Sequence, residues 1–308
     1  MLERYTYKRF LLYFDAMHVV VTIPAYNEAR TIGKVIADIR AALDATNHRY
    51  SVLVVDDGSS DSTAEKAREM GAVVVSNKRN LGLALTFRRE MRECLQLGAD
   101  VIVHTDADGQ YPARFVPVLL EKIEEGYDLV LGSRFRRSTQ HMPFVNRLGN
   151  IAFAKIISSL TKTRITDSTT GFRAFTREVA ERIDFINTFT YTQEQIIRAT
   201  REGFQIAEIG IVSQKTRPSR LFKSPWQYAF QAWINILRIY RNYNPLYFFG
   251  SIGGVLFSIG LLIGLYFVYL HLTVGIVGHV GLFFLMLTLL MSGLQIILFG
   301  FMADMLRR

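Results

Sequence analysis

Apolar positions in the first half of the chain switch between two periods. His18–Ile23 is a β-branched run stopped by Pro24, the pattern of a buried strand. From about Glu28 to Ala45, the apolar positions Ile32, Val35, Ile36, Ile39 and Leu43 recur at helical spacing. The scheme repeats. Strands are predicted at Val52–Val55, Ala72–Val75 and Val101–His104, and helices at Ser62–Met70, Leu83–Leu97 and Arg114–Glu125, before Leu129–Leu131 closes the series. Strand alternating with helix implies an α/β domain whose mainly parallel sheet is covered on both faces. Such sheets bind ligands beyond the carboxyl ends of their strands, which singles out the loops Pro24–Glu28, Asp56–Asp61 and Asp106–Pro112.

Beyond Gly132 the pattern loosens. Helices are predicted at Phe144–Leu160 and Glu194–Glu202, with a short strand at Ile206–Ile209. Trp226–Tyr243 carries Trp, Tyr, Ile and Arg at helical spacing, as a helix lying in a membrane interface does. From Asn242 to Ala303 there is no Asp, Glu, Lys or Arg. One span needs about 20 apolar residues, so this stretch holds two, at about Leu246–Leu270 and Val280–Ala303. Arg238 and Arg241 precede the first, Arg307 and Arg308 follow the second, and the connection has no Lys or Arg. By the positive-inside rule the spans form a hairpin in a multi-pass membrane protein, with both termini and the first domain cytoplasmic. The expected division is an N-terminal extension over 1–17, a globular domain over 18–223, an interfacial helix over 224–244 and two spans over 245–308. Residues 1–16 read either as the product of an upstream start codon or as an amphipathic helix using Tyr5, Phe10, Leu11 and Phe14. Gly250, Gly254, Gly260 and Gly264 give two small-xxx-small spacings, which serve packing within the hairpin or a homo-oligomer.

Charge divides the chain differently. Residues 1–133 hold 16 Lys/Arg against 19 Asp/Glu, whereas residues 134–241 hold 18 against 7. A basic segment ahead of membrane spans is suited to anionic head groups or a phosphorylated lipid. Nucleic acid, the other usual partner of a basic chain, is a poor match to an apolar C-terminal run, and no nucleic-acid partner is expected. Cys94 is the only cysteine, which excludes an intrachain disulfide and a cysteine-based zinc site.

The chemistry lies in the acidic loops. Asp106-Ala107-Asp108-Gly109-Gln110 follows a strand directly, so two carboxylates and a neutral amide oxygen can reach one hard cation, Mg²⁺ or Mn²⁺. Asp56 and Asp57 sit at another strand end, placed to hydrogen-bond a base or ribose hydroxyl, while Asp61 or Ser60 reads as a helix cap. In the first loop, Tyr26 is placed for a base and Glu28 for a ribose.

The strings TIPAYNEARTI, VLVVDDGSSDST and HTDADGQYP, in this order and spacing, resemble the nucleotide-sugar half of glycosyltransferase family 2. Within it the chain is similar to the polyprenyl-phosphate hexose synthases over about residues 18–230. The resemblance implies a GT-A fold followed by a transmembrane helical hairpin. Pro24, Tyr26, Glu28 and Asp56 would surround the nucleotide, and Asp106, Ala107, Asp108 and Gln110 the metal and diphosphate. It makes Arg134 and Arg147 binders of the acceptor phosphate, which guanidinium groups grip bidentately. Asp167, in Thr166–Arg173, would orient an arginine, and Arg173 would be structural. Arg217, Arg220 or Lys223 would supply positive charge over the diphosphate, although residues 215–223 depart from the usual glycine-containing loop. The implied activity is inverting, metal-dependent transfer of a hexose from GDP-mannose, UDP-glucose or UDP-N-acetylglucosamine to polyprenyl (dolichyl) phosphate at a lipid bilayer. A membrane-bound transferase with a glycan or protein acceptor is the alternative. The Gln-x-x-Arg-Trp segment of processive polysaccharide synthases is absent.

Overall fold

The structure is a computed structural model that describes residues 16–138, 144–183, 191–214, 225–275 and 278–306. The chain divides into two compact units, with the boundary between Ala229 and Phe230.

The first unit is built on one seven-stranded sheet. Its strands are β1 (His18–Ala25), β2 (Arg49–Asp56), β3 (Val73–Ser76), β4 (Val101–His104), β5 (Leu129–Ser138), β6 (Arg173–Thr176) and β7 (Ile206–Val212). They lie in the order β3-β2-β1-β4-β6-β5-β7. The pairs β1–β2, β2–β3, β1–β4 and β5–β7 are parallel. β6 runs against both of its neighbours, β4 and β5. The chain steps outward from β1 to β3 and then returns to the other side of β1 at β4. The loops after β1 and β4 therefore part company, leaving a crevice at the carboxyl edge.

Two expectations need correction. Leu129–Leu131 does not close the sheet, because β5 continues to Ser138 and β6 is inserted between β4 and β5. Gly132, Ser133 and Arg134 consequently lie within β5, not after it. The polar Ser133 and Arg134 break the apolar run in the sequence, yet both are buried because residues 166–169 supply their hydrogen bonds. β6 has only four residues and opens on a charged one, so no strand period is legible there.

Helices cover both faces. Val19, Val21 and Ile23 of β1 share a core with Ile32, Ile36 and Ile39 of α1 (Ile32–Leu43). Leu119 and Leu120 of α4 (Val116–Glu124) join the same core. Residues alternate across a strand, so Val20, Thr22, Ile102 and His104 face the other side. There Phe87 of α3 (Leu83–Gln96) touches the rings of His104, Phe175 and Tyr191, the last at the start of α7 (Tyr191–Arg201). Among the described residues this unit also has α2 (Thr63–Glu69), α5 (Phe144–Thr161) and α6 (Arg177–Arg182). The sequence reading of α7 starts three residues late, at Glu194. Tyr191, Thr192 and Gln193 are all buried, and their polarity hides the first turn.

The unit boundary falls inside α8 (Pro225–Tyr243). Beyond it, α9 (Pro245–Val274) and α10 (Val280–Met305) are the two helices long and apolar enough to cross a membrane among the described residues. Their mean hydropathies are 2.1 and 2.4, and only 6% of each apolar window is buried. They meet through glycines. A Cβ on Gly253 would lie 2.5 Å from the Gly293 carbonyl oxygen, and one on Gly293 would lie 2.6 Å from Phe257 N. Gly260 against Leu290 and Gly300 against Phe249 continue the seam seven residues along each helix. Of the two small-xxx-small spacings read from the sequence, Gly250 and Gly254 meet nothing within 4 Å and lie off the seam, whereas Gly260 and Gly264 face Leu290 and Met286 of α10 and do serve packing within the hairpin.

Candidate nucleotide-sugar and metal site

Four loops share the carboxyl edge of the sheet, and hydrogen bonds weld three of them together. Asp57 N donates to the Ala25 carbonyl at 2.8 Å, which ties the loop after β2 to the end of β1. Asn27 adds two links, from its amide to Ser59 Oγ at 2.9 Å and from Ser60 N to its Oδ1 at 2.8 Å. Its φ of 55° is left-handed, a conformation asparagine tolerates better than most residues. Thr63 Oγ1 accepts from Glu28 N at 2.8 Å, and Asp61 accepts from Thr63 N at 3.1 Å and Ala29 N at 3.2 Å. Asp61 thus serves the start of α2, one residue before its N-cap, Ser62.

The two aspartates of the second loop divide their tasks. Asp56 Oδ1 accepts from Ser59 N at 3.0 Å, turning the loop beneath it. Asp57, expected to hydrogen-bond a base or ribose hydroxyl, has protein donors on both carboxylate oxygens. Its carboxylate is taken by Asn77 Nδ2 at 2.8 Å and by Leu81 N and Gly82 N, both at 2.9 Å. Three donors and near-complete burial make it the anchor of residues 77–82, the loop between β3 and α3. Gly58 lets that loop approach: φ is 75°, and a Cβ there would lie 2.6 Å from the Arg79 carbonyl carbon. This fourth loop was missed in the sequence, although it too follows a strand on the same edge.

On the first loop Tyr26 is 41% exposed, Glu28 is buried, and Pro24 pairs with Val55 inside the sheet. Across the crevice, Asp106 and Asp108 are half-buried and Ala107 is buried. Asp108 Oδ1 accepts from Gln110 N at 2.9 Å, and the Gln110 carbonyl accepts from Gln214 N at 2.9 Å. No group of three or more His, Cys, Asp or Glu converges among the described residues. Two aspartates at a strand end nevertheless fit a hard cation that takes its other oxygens from a diphosphate and water. Burial, with the Asp108 carboxylate beside it, pushes the Asp106 carboxyl up to about 6 against the pull of His104 and Arg134. A carboxyl so destabilised as an anion is suited to a cation.

Arg134 is buried and gripped bidentately. Nε donates to Asp167 Oδ2 at 2.7 Å, Nη2 to Asp167 Oδ1 at 2.9 Å and to Thr169 Oγ1 at 2.8 Å. Its Nη1 makes no hydrogen bond among the described residues. Burial works against the Asp167 carboxylate, but the charge and hydrogen bonds of Arg134 hold its pKa below the usual carboxylate range. Glu208 of β7 supports the same segment, accepting from Thr166 N at 2.8 Å and Asp167 N at 3.1 Å. Arg147 is exposed on α5 and makes no hydrogen bond or ion pair among the described residues. Arg217, Arg220 and Lys223 lie outside the described residues.

The sequence pattern of the family described as Glycosyl transferase family 2 matches residues 20–184, more than half of the chain. The chain belongs to glycosyltransferase family 2. The match spans β1 to α6, and so includes the four loops, Arg134 and Asp167. A dolichyl-phosphate hexose transferase of Haloferax volcanii is 39% identical over 201 residues, covering 64% of this chain and 82% of that protein. Glycosyltransferase AglJ of the same organism is 30% identical over 302 residues, covering 94% of this chain and 93% of its own. Among solved structures, glucosyl-3-phosphoglycerate synthase of Mycobacterium tuberculosis in complex with Mn²⁺, uridine diphosphate and phosphoglyceric acid superposes with a TM-score of 0.56 at 22% identity. That superposition covers 71% of this chain and 78% of the synthase, and places the first unit in the GT-A class of folds.

Proposed function

We infer that the protein transfers a hexose from a nucleotide diphosphate sugar to a polyprenyl (dolichyl) phosphate, inverting the anomeric carbon and using Mg²⁺ or Mn²⁺. The observation that carries this reading is Arg134. A guanidinium held by Asp167 and Thr169, with Nη1 unbonded among the described residues, is already oriented by the protein, and phosphate is the ligand such a fork suits. The identity with a dolichyl-phosphate hexose transferase supports the same acceptor, and the apolar helices α9 and α10 suit a long lipid.

The roles follow from the chemistry. Pro24, Tyr26, Glu28 and Asp56 line the nucleotide, while Asp57 secures residues 77–82 behind it. Asp106 and Asp108, with Gln110, would hold the divalent cation, and Ala107 lets the chain pass close to the diphosphate. Bound there, the cation supplies positive charge against the nucleoside diphosphate as it departs. Arg134 and Arg147 hold the acceptor phosphate in line and offset its repulsion from the donor. A phosphate monoester is already anionic at neutral pH, so no general base is required of the protein. Arg220 and Lys223 add charge over the diphosphate.

Purified protein should convert one of GDP-mannose, UDP-glucose or UDP-N-acetylglucosamine, with polyprenyl phosphate, into a lipid-extractable product. EDTA should abolish it, and Asp108→Ala should lower it by about a hundredfold or more. Metal-dependent donor hydrolysis without any lipid product would instead indicate a glycan or protein acceptor.

A further inference from the structure

Three neighbouring strands carry polar residues at one level of the sheet. Thr22 of β1 pairs with His104 of β4, and His104 pairs with Arg173 of β6. Paired residues face the same side, so the three side chains form one row, and each is 0% exposed. Glu90 of α3 covers the row with Oε2 3.3 Å from His104 Nε2, and Gln195 of α7 reaches Arg173 Nη1 at 2.8 Å. Burying this many polar and charged groups is expensive, and apolar side chains would pack the layer more cheaply.

What the row holds supplies the reason. His104 Nδ1 donates to the Gly171 carbonyl at 2.7 Å, which fixes a hydrogen on that nitrogen because a carbonyl can only accept. Arg173 Nη2 donates to the Thr170 carbonyl and Nη1 to the Thr192 carbonyl at 3.2 Å. Two successive carbonyls of one short segment are thus gripped from below. Tyr111 holds the same segment from the opposite face, its hydroxyl accepting from Gly171 N at 3.3 Å. At one end the segment presents Asp167, which clamps Arg134. At the other, Gly171 presses on Asp106 so closely that a Cβ would lie 3.0 Å from Oδ1 and 3.2 Å from Oδ2.

We propose that His104 and Arg173 are positioning residues that turn residues 167–171 into a rigid spacer, setting the distance between the donor-side carboxylate Asp106 and the acceptor-side arginine Arg134. The proposal deepens the lipid-phosphate reading and rests on it for the identity of the acceptor. In-line transfer needs both reactants held in near-attack geometry, and misplacement by about 1 Å can cost about a hundredfold in rate. Neither His104 nor Arg173 need touch either substrate for that.

The test compares His104→Phe, which removes the donor to Gly171, with His104→Asn, which keeps one near Nδ1. Each is made in the full chain and measured for thermal unfolding, transfer kcat, KM for polyprenyl phosphate, and Kd for Mn²⁺ with the nucleoside diphosphate. The expected result for His104→Phe is a folded protein with kcat down about tenfold or more and acceptor KM raised. His104→Asn should recover transfer to within about threefold of the parent. Parental kinetics in folded His104→Phe would overturn the proposal, as would equal damage in both variants. If His104→Phe does not fold, Arg173→Lys against Arg173→Met decides by the same comparison. If the parent makes no lipid product, the acceptor reading fails separately. The spacer is then scored by the Mn²⁺–nucleotide Kd, which should weaken in His104→Phe and recover in His104→Asn.

Discussion

At the residue scale, neighbouring side chains of the same type have opposite tasks. Asp56 and Asp57 are consecutive, yet one turns its own loop while the other anchors residues 77–82. Asp106 and Asp108 flank one alanine, and burial foremost pushes the Asp106 carboxyl up to about 6. A carboxyl with a folded pKa above its unfolded value stabilises the fold when protonated. The metal-free protein should therefore gain stability as pH falls through about 6 toward the ordinary carboxylate range. A cation needs the ionised carboxylate, so its stabilising effect should fade over the same window. Thermal unfolding with and without Mn²⁺ and nucleoside diphosphate would check this. The shift should be larger at about pH 7.5 than at about pH 5, and a shift independent of pH would exclude Asp106 as a ligand.

At the element scale, short pieces set the geometry of the site. β6 contributes four residues, but by pairing with β4 and β5 it puts Gly171 beside Asp106 and Asp167 beneath Arg134. In the second unit, α9 and α10 approach through Gly253 and Gly293 too closely for any side chain. Gly253→Leu should destabilise the hairpin by about 1–3 kcal/mol through overpacking. Gly250→Leu should be close to neutral, because a Cβ there meets nothing within 4 Å. Thermal unfolding of the two variants in one detergent gives the comparison, and equal effects would argue against the seam.

At the scale of the whole molecule, the chain joins a family 2 domain to an apolar hairpin. Its basic stretch, residues 134–241, sits between the donor loops and the spans in sequence, where an anionic lipid head group would be handled. The proposed orientation keeps the catalytic domain and both termini cytoplasmic. Cys94 is fully buried, so introduced cysteines report on a silent background. In intact cells, Gly278→Cys should react with a membrane-impermeant maleimide, while Arg49→Cys should react only after lysis. The reverse pattern would overturn the orientation.

The sequence by itself determined what depends on local order. Periodicity places β1 to β4 and their helices, and strand ends followed by acidic residues place three of the four loops. A charge-free run places the two apolar helices, and the strings around Tyr26, Asp56 and Asp106 identify the family. These features are legible because each is encoded within a few turns of chain. Tertiary structure decided what depends on distant partners. Asp57 became an anchor because Leu81 and Gly82 fold back on it, 24 and 25 residues away. Arg134 became a buried strand residue because Asp167, 33 residues on, neutralises it. β6 became a strand because neighbours on both sides pair with it, and Gly253 rather than Gly254 forms the seam because Gly293 faces it. In each case the energy that fixes the outcome comes from pairing and burial between segments far apart in sequence, which no local pattern records.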